Sequence, residues 1–430
     1  MEQHSVEIRE TVKKIVTILA TGFAIPLLFI EFILAQPLAP SPVVDTGQNK
    51  CYGNSGEIGF PDPTGSFYGQ DAQYQGNPPS YRDNRDGTIT DLVTGLMWSK
   101  AVDAKKVSLA AAESIAENMT LGGYTDWRVP NIKELYSLMN FNGNTGFNKR
   151  NLTAGVPTNA IPYINTDYFD FKYGNIAAGE RYIDAQWLSS TQYVSTTMGN
   201  AKTLFGVNFA DGRIKGYGYK KPGRSREKFF YARYVRGASY GKNEFHDNKD
   251  GTITDQATGM MWMQSDSQRA MNWADALTYA QKLTCAGYSD WRLPNAKELQ
   301  YIVDYTRSPS TSRSPCLDPV FNTTAIVNEA GQTDYPFFWT STTHLDGPRE
   351  GANAVYISFG RAIGQMNGVT MDVHGAGAQR SDPKTGSPAL GHGPQGDARR
   401  VLNYVRCVRG GSVPIKKKAR KGPPPKNGRP

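Results

Sequence analysis

Cysteine and histidine are scarce in this chain, at four and five residues out of 430. No His-Glu-x-x-His arrangement or Cys-x-x-Cys pair occurs. The local signatures of zinc proteases and thiol redox centres are therefore absent. The runs Asp83-Asn84-Arg85-Asp86-Gly87 and Asp247-Asn248-Lys249-Asp250-Gly251 invite a calcium reading. With each glycine in the sixth position of an EF-hand loop, however, Arg82 and His246 fall first and Val93 and Ala257 twelfth, where carboxylates are required. No Glu-Pro-Asn or Gln-Pro-Asp triplet of the lectin calcium type is present either, so neither a metal nor a cofactor is expected.

Acidic residues are missing from the last fifteen positions, which hold Lys416, Lys417, Lys418, Arg420, Lys421, Lys426 and Arg429. The formal net charge is +9, and removing these seven leaves +2. A nearly balanced body argues against a nucleic-acid partner, which needs a basic face on the folded part. The tail, residues 412–430, has the composition of a disordered segment. Long apolar runs are also lacking, with one exception at residues 15–35, which follow Lys13 and Lys14 and contain Glu31 and Pro26. Residues 1–36 read as a secretory signal or as an uncleaved membrane anchor, and both place the rest of the chain outside the cytoplasm. The expected location is periplasmic, cell-surface or secreted.

What the chain does contain is a repeat. Asp83 to Asp91 recurs as Asp247 to Asp255, Trp98 as Trp262, and Gly123 to Asn131 as Gly287 to Asn295, each 164 residues later. Trp187-Leu188-Ser189-Ser190-Thr191 then matches Trp339-Thr340-Ser341-Thr342-Thr343, and Val235-Arg236-Gly237 matches Val408-Arg409-Gly410. The changing offset places an insertion in copy two within residues 364–400. The expected domains are residues 80–238 and 239–411, preceded by a lead-in at 37–79.

Within each copy, Asp86-Gly87 and Asp250-Gly251 read as hairpin turns. A helix is expected after Ser108 or Asn272, and a second after Asn131 or Asn295, with Glu134 and Glu298 completing capping boxes. Alternating Phe205, Val207, Phe209 and Val355, Ile357, Phe359 read as strands. Two helices followed by strands predict an α+β domain. Trp98, Trp127, Trp187, Trp262, Trp291 and Trp339 recur in matched positions and are expected in the core, whereas Tyr217, Tyr219 and Tyr240 remain open as exposed stacking candidates. Asp126 and Asp290 are expected to pair with or cap Arg128 and Arg292.

Cys285 and Cys407 face Leu121 and Tyr234 in copy one, so both thiols are absent together. Joint absence predicts a disulfide between them. Cys51 and Cys316 would pair by elimination.

The motifs Asp-Asn-x-Asp-Gly-Thr-Ile-Thr-Asp, Gly-x-Met-Trp, Gly-Tyr-x-Asp-Trp-Arg-x-Pro-Asn-x-Lys-Glu-Leu, Trp-x-Ser-Thr and Val-Arg-Gly resemble the family named after the C-terminal domain of the Legionella collagen-like adhesin. The resemblance implies two tandem C-type-lectin-like domains, each with two helices packed on a small antiparallel sheet. It also implies a disulfide from helix to last strand, which coincides with Cys285 and Cys407. Surface attachment and recognition of carbohydrate, often polyanionic, follow by analogy.

The expected function is thus an exported, non-catalytic, adhesin-like binding protein for an acidic polysaccharide or envelope polymer, with residues 15–35 as a membrane tether if uncleaved. Within the copy-two insertion, Asp372, His374, Arg380, Asp382, His392 and Asp397 are the candidate ligand-binding residues. A structural part of a surface appendage is one alternative. The other, an enzyme related to formylglycine-generating enzymes, needs a reactive cysteine pair and has only Cys285 and Cys407 to offer.

Overall fold

The computed structural model describes residues 41–415 except 104, 147–152, 154, 221–226 and 394. The N-terminal signal or anchor and the basic residues of the tail lie outside the described residues. No described helix is long and apolar enough to cross a membrane.

Each copy begins with a strand meander, Tyr81–Asp83, Thr88–Asp91 and Met97–Ser99 in copy one and Phe245–Asp247, Thr252–Asp255 and Met260–Met263 in copy two. The closing strand, Val235–Arg236 or Val408–Arg409, pairs with the third of these. Both hairpins turn as expected. Asn84 Nδ2 donates to Thr88 Oγ1 and Thr90 Oγ1, both at 2.9 Å, and Asn248 repeats this with Thr252 and Thr254. The Asx-rich runs thus solvate their own turns.

Two helices follow in each copy, α1 (Leu109–Glu117) and α2 (Ile132–Ser137), then α3 (Trp273–Lys282) and α4 (Ala296–Tyr301). Ser108 and Asn272 cap α1 and α3, while Asn131 with Glu134 and Asn295 with Glu298 close both capping boxes. The α2 and α4 helices exchange caps between copies. Lys133 Nζ donates to the Tyr301 carbonyl at the end of α4 at 2.5 Å, and Lys297 Nζ donates to the Ser137 carbonyl at the end of α2 at 2.8 Å. A cation at the carbonyl end of a helix satisfies orphan acceptors and complements the dipole.

Three further strands of each copy enter one shared sheet. Copy one supplies β1 (Gln186–Thr197), β2 (Ala201–Asn208) and β3 (Arg213–Gly218), and copy two supplies β4 (Phe337–His344), β5 (Asn353–Ser358) and β6 (Gln379–Pro383). The spatial order is β4-β5-β6-β3-β2-β1, joined where Ile214 faces Gln379. Beside that join, Gly216 N–H donates to the His374 carbonyl at 2.8 Å. A Cβ at Gly216 would lie 2.4 Å from that oxygen, so only glycine permits this approach.

The join unites the hydrophobic interior. Phe205, Val207 and Phe209 of copy one and Val355, Ile357 and Phe359 of copy two belong to one buried cluster with Trp98, Trp187 and Trp262. Trp127 packs in a second cluster on the copy-one side, and Trp291 and Trp339 in a third on the copy-two side. All six repeated tryptophans are buried. Each such side chain contributes about 1.5–3 kcal/mol by leaving water. The lead-in stitches both copies, since Gln48 Nε2 donates to the carbonyls of Phe141 and Thr343 at 3.2 and 2.8 Å. The connection between copies is held as well: Tyr240 is buried, with its hydroxyl 3.0 Å from the Pro42 carbonyl.

The expectation of two lectin-like α+β domains is corrected. The described residues hold four α-helices of six to ten residues, and strands dominate. An open strand edge is a pairing surface. Here β3 and β6 satisfy their edges against each other, so a six-stranded sheet runs across both copies beside the small meander sheet that each keeps. The copy-two insertion is not a loop either. It forms β6 and a four-stranded sheet of its own, ordered Val369–Asp372, Ile363–Met366, Asp397–Arg399 and Ala389–His392.

No disulfide is formed among the described residues, contrary to both expected pairings. Cys285 and Cys407 pack in the same apolar cluster as thiols, and burial raises Cys407 well above the ordinary thiol range. Cys316 lies in the shared core, its Sγ 3.5 Å from the Ser358 carbonyl.

Candidate functional site

Where the copies meet, β3 alternates Arg213, Lys215 and Tyr217 on one face with Ile214 and Gly216 on the other, as a strand requires. The polar face lines a cleft of about 940 Å³. Lys106, Asp184 and Lys228 of copy one and Asp346, Arg380 and Asp397 of copy two complete its walls. The turn into β3 is pinned from copy two, because His344 Nε2 lies 2.9 Å from the Asp211 carbonyl. A carbonyl only accepts, so Nε2 carries the proton and Nδ1 accepts from Ser381 Oγ at 2.8 Å. Burial, followed by Arg213, lowers the His344 pKa to about 4, keeping the ring neutral.

Most cleft charges are paired. Lys106 meets Glu180 at 2.6 Å, Arg181 meets Asp184 at 2.6 Å and Lys215 meets Asp211 at 2.9 Å. Arg213 bridges to Asp346 of the other copy, and Arg380 to Asp397. Burial alone would raise the carboxyls of Asp346 and Asp397, but Arg213 and Arg380 respectively outweigh it and hold both below the usual range. Lys228 forms no ion pair among the described residues. Its ammonium sits 4.3 Å from the ring centre of Tyr217, and burial, followed by Lys215, lowers it to about 8.

Several buried polar atoms along this surface have no protein partner: Asp211 Oδ1, Arg213 Nε, Tyr217 OH and Arg380 Nη1. Unsatisfied buried groups are costly, about 1–3 kcal/mol each. Their concentration on one cleft marks a surface suited to a ligand rich in hydroxyls and anionic groups.

The six candidate residues divide. Asp397 accepts from His374 Nε2 at 2.8 Å and from Arg380, which brings three of them together. Burial, then Arg380, lowers His374 to about 4. Asp382 turns aside to Asn403 Nδ2 and the Arg400 amide, each at 3.1 Å, and burial raises it to about 7. Asp372 accepts from Tyr193 OH at 2.9 Å and the Gly375 amide at 2.8 Å, away from the trio. His392 pairs with Asp397 through the backbone, and its side chain lies outside the described residues. The described residues hold no group of His, Cys, Asp and Glu that could bind a metal ion.

The copy-one wall was missed. Its signal was the alternation of Arg213, Lys215 and Tyr217 beside Ile214, a charged face on a strand otherwise next to the core. Of the three tyrosines left open, Tyr217 lines the cleft, whereas Tyr219 and Tyr240 pack inward. The expected partners of Asp126 and Asp290 are also corrected. They pair with Arg236 at 2.6 Å and Arg409 at 2.7 Å on the closing strands, because Arg128 and Arg292 are already engaged by Glu134 and Glu298.

No curated protein and no solved structure matches the chain. The Lcl C-terminal domain matches twice, over residues 87–236 and 251–374. The second match ends at His374, before Arg380 and Asp397, so two of the buried trio and the last two strands of the small sheet stand outside the shared pattern. Two ordered matches spanning most of the chain establish that it belongs to the Lcl C-terminal domain family, in two tandem copies.

Proposed function

We propose that this chain is an exported binding protein that holds an acidic polysaccharide or anionic envelope polymer in the cleft between its copies without modifying it. The observation that carries this reading is the cleft's set of buried groups without a partner among the described residues, Asp211 Oδ1, Tyr217 OH and Arg380 Nη1, beside Lys228, a cation with no ion pair among those residues. Hydroxyls of a sugar satisfy such donors and acceptors, and a carboxylate or sulfate meets Lys228 through charge-assisted bonds. Export follows from the lysines and apolar run at the N-terminus, and the basic tail adds attraction over distances that salt screens beyond about 8 Å.

The test is a glycan array probed with the full chain and with Lys228→Ala at low and physiological salt. Acidic glycans should be retained by the native chain, and retention should fall about tenfold in the variant, as expected for one charged contact. Absence of any acidic glycan among the bound species, even at low salt, would overturn the reading and favour a structural role in an appendage.

A further inference from the structure

Beyond the cleft lies a second cavity of about 210 Å³. Arg213, Asp346, Arg380 and Asp397 line both spaces. The ion pairs Arg213–Asp346 and Arg380–Asp397 therefore form the partition between them. Polar atoms without a protein partner continue across it: Arg213 Nε and Arg380 Nη1 in the partition, and Asp382 Oδ1 and Arg399 Nε beyond. Asp382 is 1% exposed and Arg380 9% exposed.

The cations sort by position. Those in the partition each have a carboxylate. The lining cations without an ion pair among the described residues are Lys105 and Lys228 on the first side and Arg349 and Arg399 on the second. Paired charges with spare hydrogen-bonding capacity suit neutral hydroxyls, since a further charge there would face its like. Unpaired cations at the two ends suit anions.

We propose that the two cavities are compartments of one site, crossed by a single linear polyanion. Its anionic groups lie at both ends, against Lys228 and against Arg349 with Arg399, and an uncharged hydroxylated section lies on the partition. This rests on the binding function proposed above and adds the ligand's form: a chain with spaced anions, long enough to span both copies. A monosaccharide fills one compartment only. The duplication then matters to recognition because neither copy alone holds both ends.

Titration calorimetry of the full chain with hyaluronan fragments, which carry a carboxylate on every second sugar, tests this. Affinity should rise about tenfold or more from disaccharide to octasaccharide, the gain of one added charged contact. The double variant Arg349→Ala with Arg399→Ala should lose that rise. Lys105→Ala with Lys228→Ala should weaken every length. Circular dichroism of both variants should match the native chain, because none of the four side chains forms an ion pair among the described residues. If all lengths bind equally, or if the Arg349, Arg399 variant keeps the rise, the second compartment is not used and the inference fails while the binding function stands. If neither fragments nor long hyaluronan bind at low salt, the binding function itself fails.

Discussion

In copy one Arg128 grips Glu134 with bonds of 2.7 and 2.6 Å, and its side chain is 36% exposed. In copy two Arg292 makes the same two bonds to Glu298, and its side chain is 3% exposed. The motif is identical and the surroundings are not. Tyr74 of the lead-in lies over Arg292, with its ring 5.4 Å away, and the Gly410 carbonyl accepts from the same guanidinium at 2.8 Å. The corresponding Gly237 carbonyl is 3.4 Å from Arg128. A repeat reproduces local geometry, but the energy of the pair is set by what covers it.

Removing one partner from a buried pair strands a charge. Arg292→Ala should therefore destabilise by about 3–5 kcal/mol; Arg128→Ala also strands a buried carboxylate, Glu134 at 0% exposure, and should cost less because water can enter the space that the partly exposed guanidinium leaves. Urea denaturation of the two variants measures this. Equal losses would break the comparison and deny the lead-in an energetic role.

The binding surface offers a second contrast, between a lysine end in copy one and an arginine end in copy two. Burial, with Lys215 next, lowers Lys228 to about 8; Asp184 opposes this, and Arg181 and Lys106 add to it. Arginine stays protonated throughout. Anion affinity at the copy-one end should thus be present below about pH 8 and fall as pH rises through it. Disaccharide titrations across this range should show the loss, and Lys228→Arg should carry the affinity to higher pH. Affinity that is flat with pH in the native chain would place the anion elsewhere.

The smallest expected difference lies in the hairpin turns. Gly87 and Gly251 sit at φ of 85° and 88°. Alanine in either position should cost about 1 kcal/mol. A Cβ at Gly87 would also meet Leu121 at 3.1 Å, whereas at Gly251 it meets nothing within 4 Å. Gly87→Ala should then lower the melting temperature slightly more than Gly251→Ala, and the reverse order would show that copy one's turn relaxes freely.

Much of this was legible in sequence. The caps at Asn131 and Asn295, the Asx turns and the buried tryptophans all depend on contacts within a few residues or on one periodic face. The cleft was legible by half. The insertion signalled His374, Arg380 and Asp397 because it interrupts the repeat, whereas Arg213, Lys215 and Lys228 sit in segments that nothing in the repeat sets apart. The paired cysteines misled: their joint absence from copy one reflects a shared apolar cluster, where Leu121 and Tyr234 fill the same role.

By itself, then, the sequence determined the repeat, the boundaries of its short helices and turns, and the residues that leave water, since hydrophobic periodicity and capping chemistry act locally. Only the tertiary structure decided that Ile214 would face Gln379, that Lys133 and Lys297 would exchange helix caps, and that Arg213 would bridge to Asp346. Each of these joins residues more than a hundred positions apart. Such meetings follow from edge strands and carbonyl ends seeking partners, a requirement that any copy satisfies only when the other is folded beside it.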